Sequence, residues 1–364
     1  MTVRKNISEL KEQTALHGRT VWDSENGALF FNWTYSGFTV SFTGKRLRAK
    51  LFAAGDSIVP NDPSVFLPTF LPCCGTVISN GLSNRIQCIE GEQWITLWDG
   101  AAVEKKEIKL IKLSENNMGK LAVLELETDG EFETIARTDK RVMEFVGDSI
   151  TCGFGNEAEG IYSPFRTSEE NGWDSYGAIT ARRLGFEPSF ICSSGICAVG
   201  SDKYTVGSEP MDVIYPFADY LFAKTNGIVP AKWDFRNNTP DIIVINLGTN
   251  DADQLRRCSW FDTESLRKEF GERYLGFVKN IRERNGEDTL MFCVLGPMDY
   301  PLFPEIEDAV RIMNESGDNN VFSFRFSEID LETEGYGCEA HPSVATHRRM
   351  ASELSEYIRS VLTN

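Results

Sequence analysis

The chain has 364 residues, of which 41% are hydrophobic, and its formal net charge is −17. This length favours two domains, and the apolar fraction is enough to give each of them a core. The acidic charge argues against nucleic acid and anionic membranes as partners, and it is compatible with a neutral or sugar-like substrate.

The cysteines and histidines indicate neither a disulfide framework nor a metal site. The nine cysteines are odd in number, and Cys73 and Cys74 are adjacent, which paired disulfides do not explain. Because there is no C-x-x-C pair and His17, His341 and His347 are the only histidines, we predict no metal and no cofactor. The N-terminal residues lack the apolar segment of a signal peptide, and no apolar run is long enough to span a membrane. We therefore expect reduced thiols and a cytoplasmic location.

Residues 1–138 are predicted to form an antiparallel β-sandwich. Apolar and polar residues alternate there in short runs typical of half-buried strands: 38–43, 47–51, 94–98, 108–110 and 121–126. Turns are predicted at Gly44-Lys45 and at Asp99-Gly100, and the prolines between 60 and 72 predict a rigid loop. Many short strands with turns between them are typical of a sandwich.

Residues 139–364 are predicted to form an α/β domain with a parallel sheet. Short apolar runs alternate with helical patterns there, as they do in βαβ units. Strands are predicted at 142–146, 190–192, 241–247 and 290–295, and helices from a cap at Asp174 to Leu184, over 266–281 and over 350–362. The loop at 153–172 is long enough to suggest a functional segment.

Small or polar residues follow three of the predicted strands, and a histidine begins a fourth element. Ser149, Gly195 and Asn250 come after buried strands, and His341 begins the fourth element. The carboxyl ends of parallel strands lie at one edge of a sheet, so we expect these four residues to lie together. Acyl transfer requires a nucleophilic oxygen, a base that takes its proton, and donors that bind the oxyanion. The four residues match these requirements.

Each of the four residues has a role in this interpretation. Ser149 is the nucleophile, and His341 acts first as base and then as acid. The backbone N–H groups of Ser149 and Gly195 and the side-chain amide of Asn250 form the oxyanion hole. Glycine lets a backbone donor approach the substrate without a Cβ, and a neutral amide donates without adding charge. Three of them have a structural alternative: Ser149 as a helix N-cap, Gly195 as a turn glycine and Asn250 as a turn or cap residue.

The segments around these residues resemble the GDSL, or SGNH, hydrolase superfamily. Its four blocks occur in the expected order: Gly147-Asp148-Ser149, Gly195, Gly248-Thr249-Asn250-Asp251 and His341-Pro342. Further segments resemble carbohydrate esterase family 2: 145–155, Lys232-Trp233-Asp234-Phe235, 245–251, Gly296-Pro297-Met298 and 341–347. The resemblance implies a jelly-roll domain packed on a three-layer α/β/α hydrolase domain. It also implies an esterase that removes acetyl groups from plant glycans such as xylan, glucomannan or mannan, through an acetyl-serine intermediate.

The acid that orients the histidine departs from the superfamily pattern. Many members have an Asp three residues before the histidine, and this Asp holds the ring. Here that position is Cys338, and the nearest acid is Glu339, two residues before His341. Moving the acid by one residue changes the side on which its side chain leaves an extended backbone. We favour a Ser149–His341 dyad oriented by a backbone carbonyl, with a triad that includes Glu339 as the alternative.

Aromatic residues near the strand ends are candidates for a surface on which sugar rings stack. Tyr204 and Trp260 are preferred, Tyr162 and Trp173 are further candidates, and core packing is the alternative for each. The predicted partner is an acetylated oligosaccharide, with no nucleic acid and no membrane. Two other functions stay open, namely a lysophospholipase or thioesterase on the same fold, and a carbohydrate-binding protein with an inert hydrolase domain.

Overall fold

The computed structural model describes residues 2–56, 69–136, 141–201, 209–258 and 263–363. Its N-terminal part is an antiparallel β domain, and its C-terminal part is a parallel sheet between two layers of helices. The predicted fold class is therefore confirmed. The predicted boundary between residues 138 and 139 lies outside the described residues, as does most of the proline-containing stretch.

The N-terminal domain is a curled antiparallel sheet. Its described strands are β1 (Val3–Asn6), β2 (Thr14–His17), β3 (Val21–Asp23), β4 (Ala28–Phe30), β5 (Gly37–Ala54), β6 (Cys73–Ile78), β7 (Gly81–Gln87), β8 (Gly91–Lys112), β9 (Lys120–Thr128) and β10 (Glu131–Phe132). They lie in the order β3-β4-β9-β5-β8-β6-β7, with β1 paired to β9 and with β2 and β10 paired to β5. The two long strands β5 and β8 therefore lie at the centre of the domain.

The curl arises where the sequence predicted two turns. The predictions of turns at Gly44-Lys45 and Asp99-Gly100 are wrong, because β5 and β8 continue through these positions. At this level the register of the β5–β8 ladder shifts, as it does at a β-bulge. A bulge bends and twists the strands instead of reversing the chain. Residues that favour turns therefore bend two long strands here.

The C-terminal domain has a parallel sheet with helices on both faces. Its described strands are β11 (Val142–Gly147), β12 (Glu187–Cys192), β13 (Ile242–Asn246), β14 (Leu290–Leu295) and β15 (Val321–Arg325). Their order is β12-β11-β13-β14-β15. The described helices are α1 (Ser149–Cys152), α2 (Tyr176–Leu184), α3 (Met211–Ile214), α4 (Tyr220–Thr225), α5 (Thr249–Arg257), α6 (Thr263–Asn285), α7 (Phe303–Glu315) and α8 (Val344–Leu362).

Alternating strand residues make the two helix layers possible. Phe145 faces the core that includes α2 and α8, whereas its neighbour Val146 faces the core that includes α5, α6 and α7. The end of β11 is central to the sheet, because Gly147 pairs with Cys192 of β12 and with Asn246 of β13. The loops that follow these three strands therefore begin side by side.

Helix α2 begins one residue later than predicted. Its N-cap is Ser175, whose Oγ accepts the backbone N–H of Ala178 at 3.4 Å. The prediction that Asp174 caps this helix is wrong, since Asp174 lies in the preceding 3-10 turn Gly172–Asp174. The predicted end is confirmed, because Gly185 adopts the left-handed conformation with φ of 77°.

The two domains share buried contacts. Trp33 is buried in the core of the C-terminal domain, and its Nε1 donates to the carbonyl of Ala218 at 2.8 Å. Arg19 is also buried, and it donates to the carbonyl of Tyr215 and to the carboxylate of Glu144 at 3.3 Å. A buried guanidinium needs such partners, because removing its charge from water is costly. Side chains of the N-terminal domain therefore reach deep into the C-terminal domain.

All nine cysteines are buried, and none forms a disulfide. The Sγ atoms of Cys74 and Cys88 lie 3.9 Å apart, too far for a disulfide bond. Among the described helices, none combines the length and the apolar character needed to cross a membrane. The cytoplasmic location stays a prediction.

Candidate active site

Ser149 lies where β11 turns into α1. Asp148 is the N-cap of α1, and its Oδ1 accepts the backbone N–H of Ile150 at 3.0 Å. The capping role that was the alternative for Ser149 therefore belongs to its neighbour. The turn requires glycine at 147, because a Cβ there would lie 2.0 Å from the Oγ1 of Thr151. These features place the Ser149 side chain at the carboxyl edge of the sheet.

The structure brings Ser149 and His341 together. The Nε2 of His341 lies 2.9 Å from the Oγ of Ser149. The Nδ1 of His341 lies 3.3 Å from the carbonyl oxygen of Cys338 and 3.2 Å from that of Glu339. A carbonyl oxygen only accepts hydrogen bonds, so Nδ1 carries the proton in this arrangement. Nε2 is then the unprotonated nitrogen, and it accepts the hydroxyl proton of Ser149.

An unusual backbone turn directs the two carbonyls at the imidazole. Glu339 and Ala340 have φ angles of 50° and 62°, a region that residues other than glycine rarely adopt. The turn is held from outside, because the N–H of Cys338 donates to the carbonyl of Gly155 at 3.1 Å and that of Glu339 to Ile161 at 3.2 Å. The loop after α1 thus supports the segment that carries His341.

Glu339 contacts the imidazole through its backbone only. Its carbonyl oxygen is one of the two acceptors of Nδ1, and its side chain is exposed to solvent. The structure therefore has the backbone-oriented pair rather than a carboxylate against His341.

Aromatic side chains shield one side of the His341 imidazole from solvent. The Phe154 ring lies 4.6 Å from the imidazole and stacks on Phe165 with centroids 4.0 Å apart. Burial lowers the pKa of His341 below its usual 6.5, and the hydrogen bonds to the Cys338 and Glu339 carbonyls partly oppose this shift. The imidazole is therefore kept in its neutral, proton-accepting form.

The two other predicted residues lie at the same edge. Gly195 has a φ of 76° and is exposed, and no atom lies within 4 Å of the position of an added Cβ. The Nδ2 of Asn250, in the first turn of α5, donates to the carbonyl of Ile196 at 2.9 Å and lies 3.4 Å from the Oδ2 of Asp148. Asn250 thus links the loop after β12 to the cap of the Ser149 helix. In the part of the chain that the structure describes, no hydrogen bond occupies the backbone N–H of Ser149 or of Gly195.

A family model described as the GDSL-like lipase/acylhydrolase family matches residues 145–349, which is more than half of the chain. The chain belongs to this hydrolase family. It is 30% identical over 341 residues to the cellulase/esterase CelE of Acetivibrio thermocellus, and this match covers 91% of the chain but only 37% of CelE. The chain thus spans little more than a third of that relative's length.

Two further comparisons show that the chain is similar to family 2 carbohydrate esterases. It is 26% identical over 275 residues to an acetylxylan esterase/glucomannan deacetylase of Cellvibrio japonicus, covering 72% of this chain and 71% of the relative. The structure of a family two carbohydrate esterase from Clostridium thermocellum in complex with cellohexaose matches with a TM-score of 0.79 and 27% identity, over 96% of this chain and 99% of that chain. The resemblance predicted from the sequence motifs is confirmed, and the match includes the N-terminal domain.

Two buried aspartates support the loops of the hydrolase site. Asp251 accepts the backbone N–H groups of Ala198 at 2.8 Å and Val199 at 3.3 Å, so it fixes the segment after Gly195. Burial raises the pKa of both Asp148 and Asp251 to about 7, although backbone hydrogen bonds to each carboxylate oppose the shift. Sequence reasoning did not assign Asp148, although an Asp directly before a short helix is a common capping residue.

One group of side chains beneath the site has the spacing of a metal site. Glu115, Cys152 and Glu170 are buried, and their ligand atoms all lie within 4.8 Å of one another. Burial raises the pKa of Glu115, and it raises those of Cys152 and Glu170 well above their ordinary values. A protonated thiol is a poor metal ligand. The Glu115 carboxylate instead accepts hydrogen bonds from Ser194, so the group functions as a hydrogen-bonded cluster.

The preferred residues for a sugar-stacking surface, Tyr204 and Trp260, lie outside the described residues. Of the further candidates, Trp173 is buried and stacks on Tyr35 with centroids 5.8 Å apart, so it packs in the core. Tyr162 is 96% exposed, and it follows Ile161, whose carbonyl holds the turn before His341.

Proposed function

We propose that this protein is a serine esterase that removes O-acetyl groups from plant-derived mannan, glucomannan or xylan oligosaccharides. The observation that carries the proposal is the 2.9 Å contact between the Oγ of Ser149 and the Nε2 of His341, next to Gly195 and Asn250. In the proposed reaction Ser149 attacks the acetyl carbonyl while His341 accepts the hydroxyl proton. The tetrahedral intermediate collapses to acetyl-serine as His341 donates that proton to the departing sugar oxygen.

Water completes the proposed reaction. His341 takes a proton from a water molecule that attacks the acetyl-serine carbonyl, and acetate leaves as Ser149 regains its proton. In both steps negative charge develops on the carbonyl oxygen. We assign its stabilisation to the backbone N–H groups of Ser149 and Gly195 and to the amide of Asn250, because the two backbone donors have no partner among the described residues.

The choice of substrate is supported by the relatives. One is named acetylxylan esterase/glucomannan deacetylase, and another was solved in complex with cellohexaose. The net charge of −17 also suits an uncharged glycan better than an anionic lipid or polymer.

A time-resolved NMR spectrum of a natively acetylated oligosaccharide tests the proposal. We expect acetate to appear while acetyl signals disappear from defined hydroxyl positions of acetylated mannan or xylan fragments. A series of nitrophenyl esters of increasing acyl length distinguishes this activity from that of a lysophospholipase or thioesterase. Turnover that rises with chain length would favour the lipid-type activity, and the absence of acetate release would favour a binding protein.

Glu339→Ala is expected to lower kcat on an acetyl ester by less than about tenfold. The reason is that Glu339 orients His341 through its carbonyl oxygen, which alanine retains. Loss of a true triad carboxylate typically costs about 10⁴ in kcat, so the two roles are well separated. Steady-state kinetics of the variant and the wild type at one pH measure the difference. A loss near 10⁴ would instead make the Glu339 carboxylate the third catalytic residue.

The acid limb of kcat/KM is expected to have its midpoint below pH 6.5. Only neutral His341 accepts the Ser149 proton, so activity falls as the pH drops through its pKa, and burial lowers that pKa. Asp148, next to Ser149 in the chain, titrates close to this limb, because burial raises its pKa to about 7. The pH profile is therefore measured in Asp148→Asn as well, a variant that keeps the capping oxygen but not the titration. A midpoint above 6.5 in that variant would indicate an acidic group that stabilises the imidazolium.

A further inference from the structure

Three consecutive residues of the N-terminal domain reach into the C-terminal domain beside the active site. They lie in the connection between β8 and β9, and we call residues 115–117 the bridging segment. Glu115 accepts hydrogen bonds from Ser194. Asn116 donates from its Nδ2 to the Oδ1 of Asp219 at 3.0 Å. Asn117 donates from its Nδ2 to the Oγ of Ser193.

Glu115 holds the residue directly before Gly195. One carboxylate oxygen accepts the backbone N–H of Ser194 at 2.6 Å, and the other accepts the Ser194 hydroxyl. Hydrogen bonds to a carboxylate are shorter and stronger than those between neutral groups. Two such bonds fix both the backbone and the side chain of Ser194. Since the N–H of Gly195 belongs to the next peptide unit, its direction depends on how Ser194 is held.

Glu115 is itself held through both its backbone and its side chain. It is fully buried, and it lies 3.8 Å from the Sγ of Cys152 in the Ser149 helix. The backbone N–H of Glu115 donates to the Oε2 of Glu170 at 3.1 Å, and the buried Lys112 donates to the Glu115 carbonyl. The acceptor for Ser194 is therefore fixed relative to the nucleophile.

We propose that Glu115 is a positioning residue for the oxyanion hole, supplied to the hydrolase domain by the N-terminal sheet. The proposal rests on the proposed function, in which the N–H of Gly195 binds the oxyanion. Asn250 holds the other side of the same loop through the carbonyl of Ile196 at 2.9 Å. Gly195 is exposed, and no atom would contact a Cβ at this position, so the direction of its N–H depends on the anchors on either side, of which Glu115 is the nearest before it. The N-terminal domain thus contributes to turnover as well as to packing.

Glu115→Ala in the full chain tests the role, with Asn116→Ala as the matched control. Asn116 is buried in the same segment and bonds to the same domain, but it contacts Asp219 instead of the 193–195 loop. We expect Glu115→Ala to lower kcat on nitrophenyl acetate by about 10², with little change in KM, as a misplaced group does. Its inhibition constant for methylboronic acid, which forms a tetrahedral adduct with a catalytic serine, is expected to rise in proportion. Asn116→Ala is expected to lower the thermal unfolding midpoint while kcat stays close to wild type.

Two variants that remove only part of the Glu115–Ser194 contact keep the test decisive if Glu115→Ala does not fold. Glu115→Gln retains one accepting oxygen for Ser194, and Ser194→Ala retains the backbone N–H. Both are expected to have kcat values between those of wild type and of a fully released loop, with KM unchanged. Wild-type kcat in both, or an equal loss of kcat in Asn116→Ala, would overturn the positioning role. A wild-type protein that hydrolyses no ester would overturn the proposed function itself, so the two failures are distinguishable.

Discussion

Ser149→Ala is expected to lower kcat for acetyl esters by about 10⁶, the typical cost of removing a nucleophile that acts with a base as one unit. Without Oγ no acetyl-serine forms, and His341 has no hydroxyl to deprotonate at 2.9 Å. The fold is expected to survive, because Asp148 and not Ser149 caps α1. The residual rate comes from the oxyanion donors and from substrate binding.

Acetate release and thermal unfolding of the same preparation separate lost chemistry from lost structure. Ser163→Ala serves as the control, since Ser163 lies in the loop after α1 and donates a hydrogen bond from its backbone N–H to the carbonyl of Gly160, which alanine retains. Rapid quenching followed by mass spectrometry is expected to find the acetyl group on the Ser149 peptide of the wild type and not of the variant. Activity of Ser149→Ala within about tenfold of wild type would mean that another group is the nucleophile, given the cost expected for a true one.

The site could be predicted in outline because periodicity and topology act together. Buried strands are readable as short apolar runs, and parallel strands end at one edge of the sheet. This reasoning placed Ser149 and His341 together although 192 positions separate them in sequence. The same reasoning predicted that Gly195 and Asn250 lie at this edge, because they follow β12 and β13.

Features that depend on tertiary structure were not predictable in the same way. Gly44-Lys45 and Asp99-Gly100 favour turns locally, yet pairing between β5 and β8 turns them into bends of continuous strands. The left-handed turn at Glu339 and Ala340 has no local signature, since neither residue favours a positive φ. It exists because Gly155 and Ile161 hold the backbone from a distant loop.

Glu115 illustrates the same limit for function. It lies between two strands of the N-terminal domain, and no pattern in its neighbourhood distinguishes it from a surface acid. Its importance emerges only when the domain packs and its carboxylate meets Ser194. Such an acid is recognised in the structure by its burial, because a fully buried carboxylate needs specific hydrogen-bond partners.

Asn250→Ala is expected to lower kcat by about 10² to 10³ with little change in KM, as removal of one oxyanion donor typically does. The amide is held at 2.9 Å from the carbonyl of Ile196, and its only other contact in the described structure is the longer one of 3.4 Å to Asp148. The shorter bond orients the amide, and in the proposed reaction the N–H of the longer contact to Asp148 is the one that donates to the oxyanion. The oxyanion exists in the transition state and not in the bound ester. Loss of the Asn250 donor therefore lowers kcat and leaves the affinity for the ester unchanged.

Asn250→Asp sharpens the test, because it keeps the size of the side chain but replaces the donor with an acceptor. A carboxylate there would face both the developing oxyanion and Asp148, so kcat is expected to fall further than in Asn250→Ala. Thr249→Ala is the control in the same helical turn, since its hydroxyl has no hydrogen-bond partner in the described structure. If the role of Asn250 were only to anchor Ile196, both variants would have lower unfolding midpoints and similar kcat values. An aspartate variant more active than the alanine variant would remove Asn250 from the oxyanion hole.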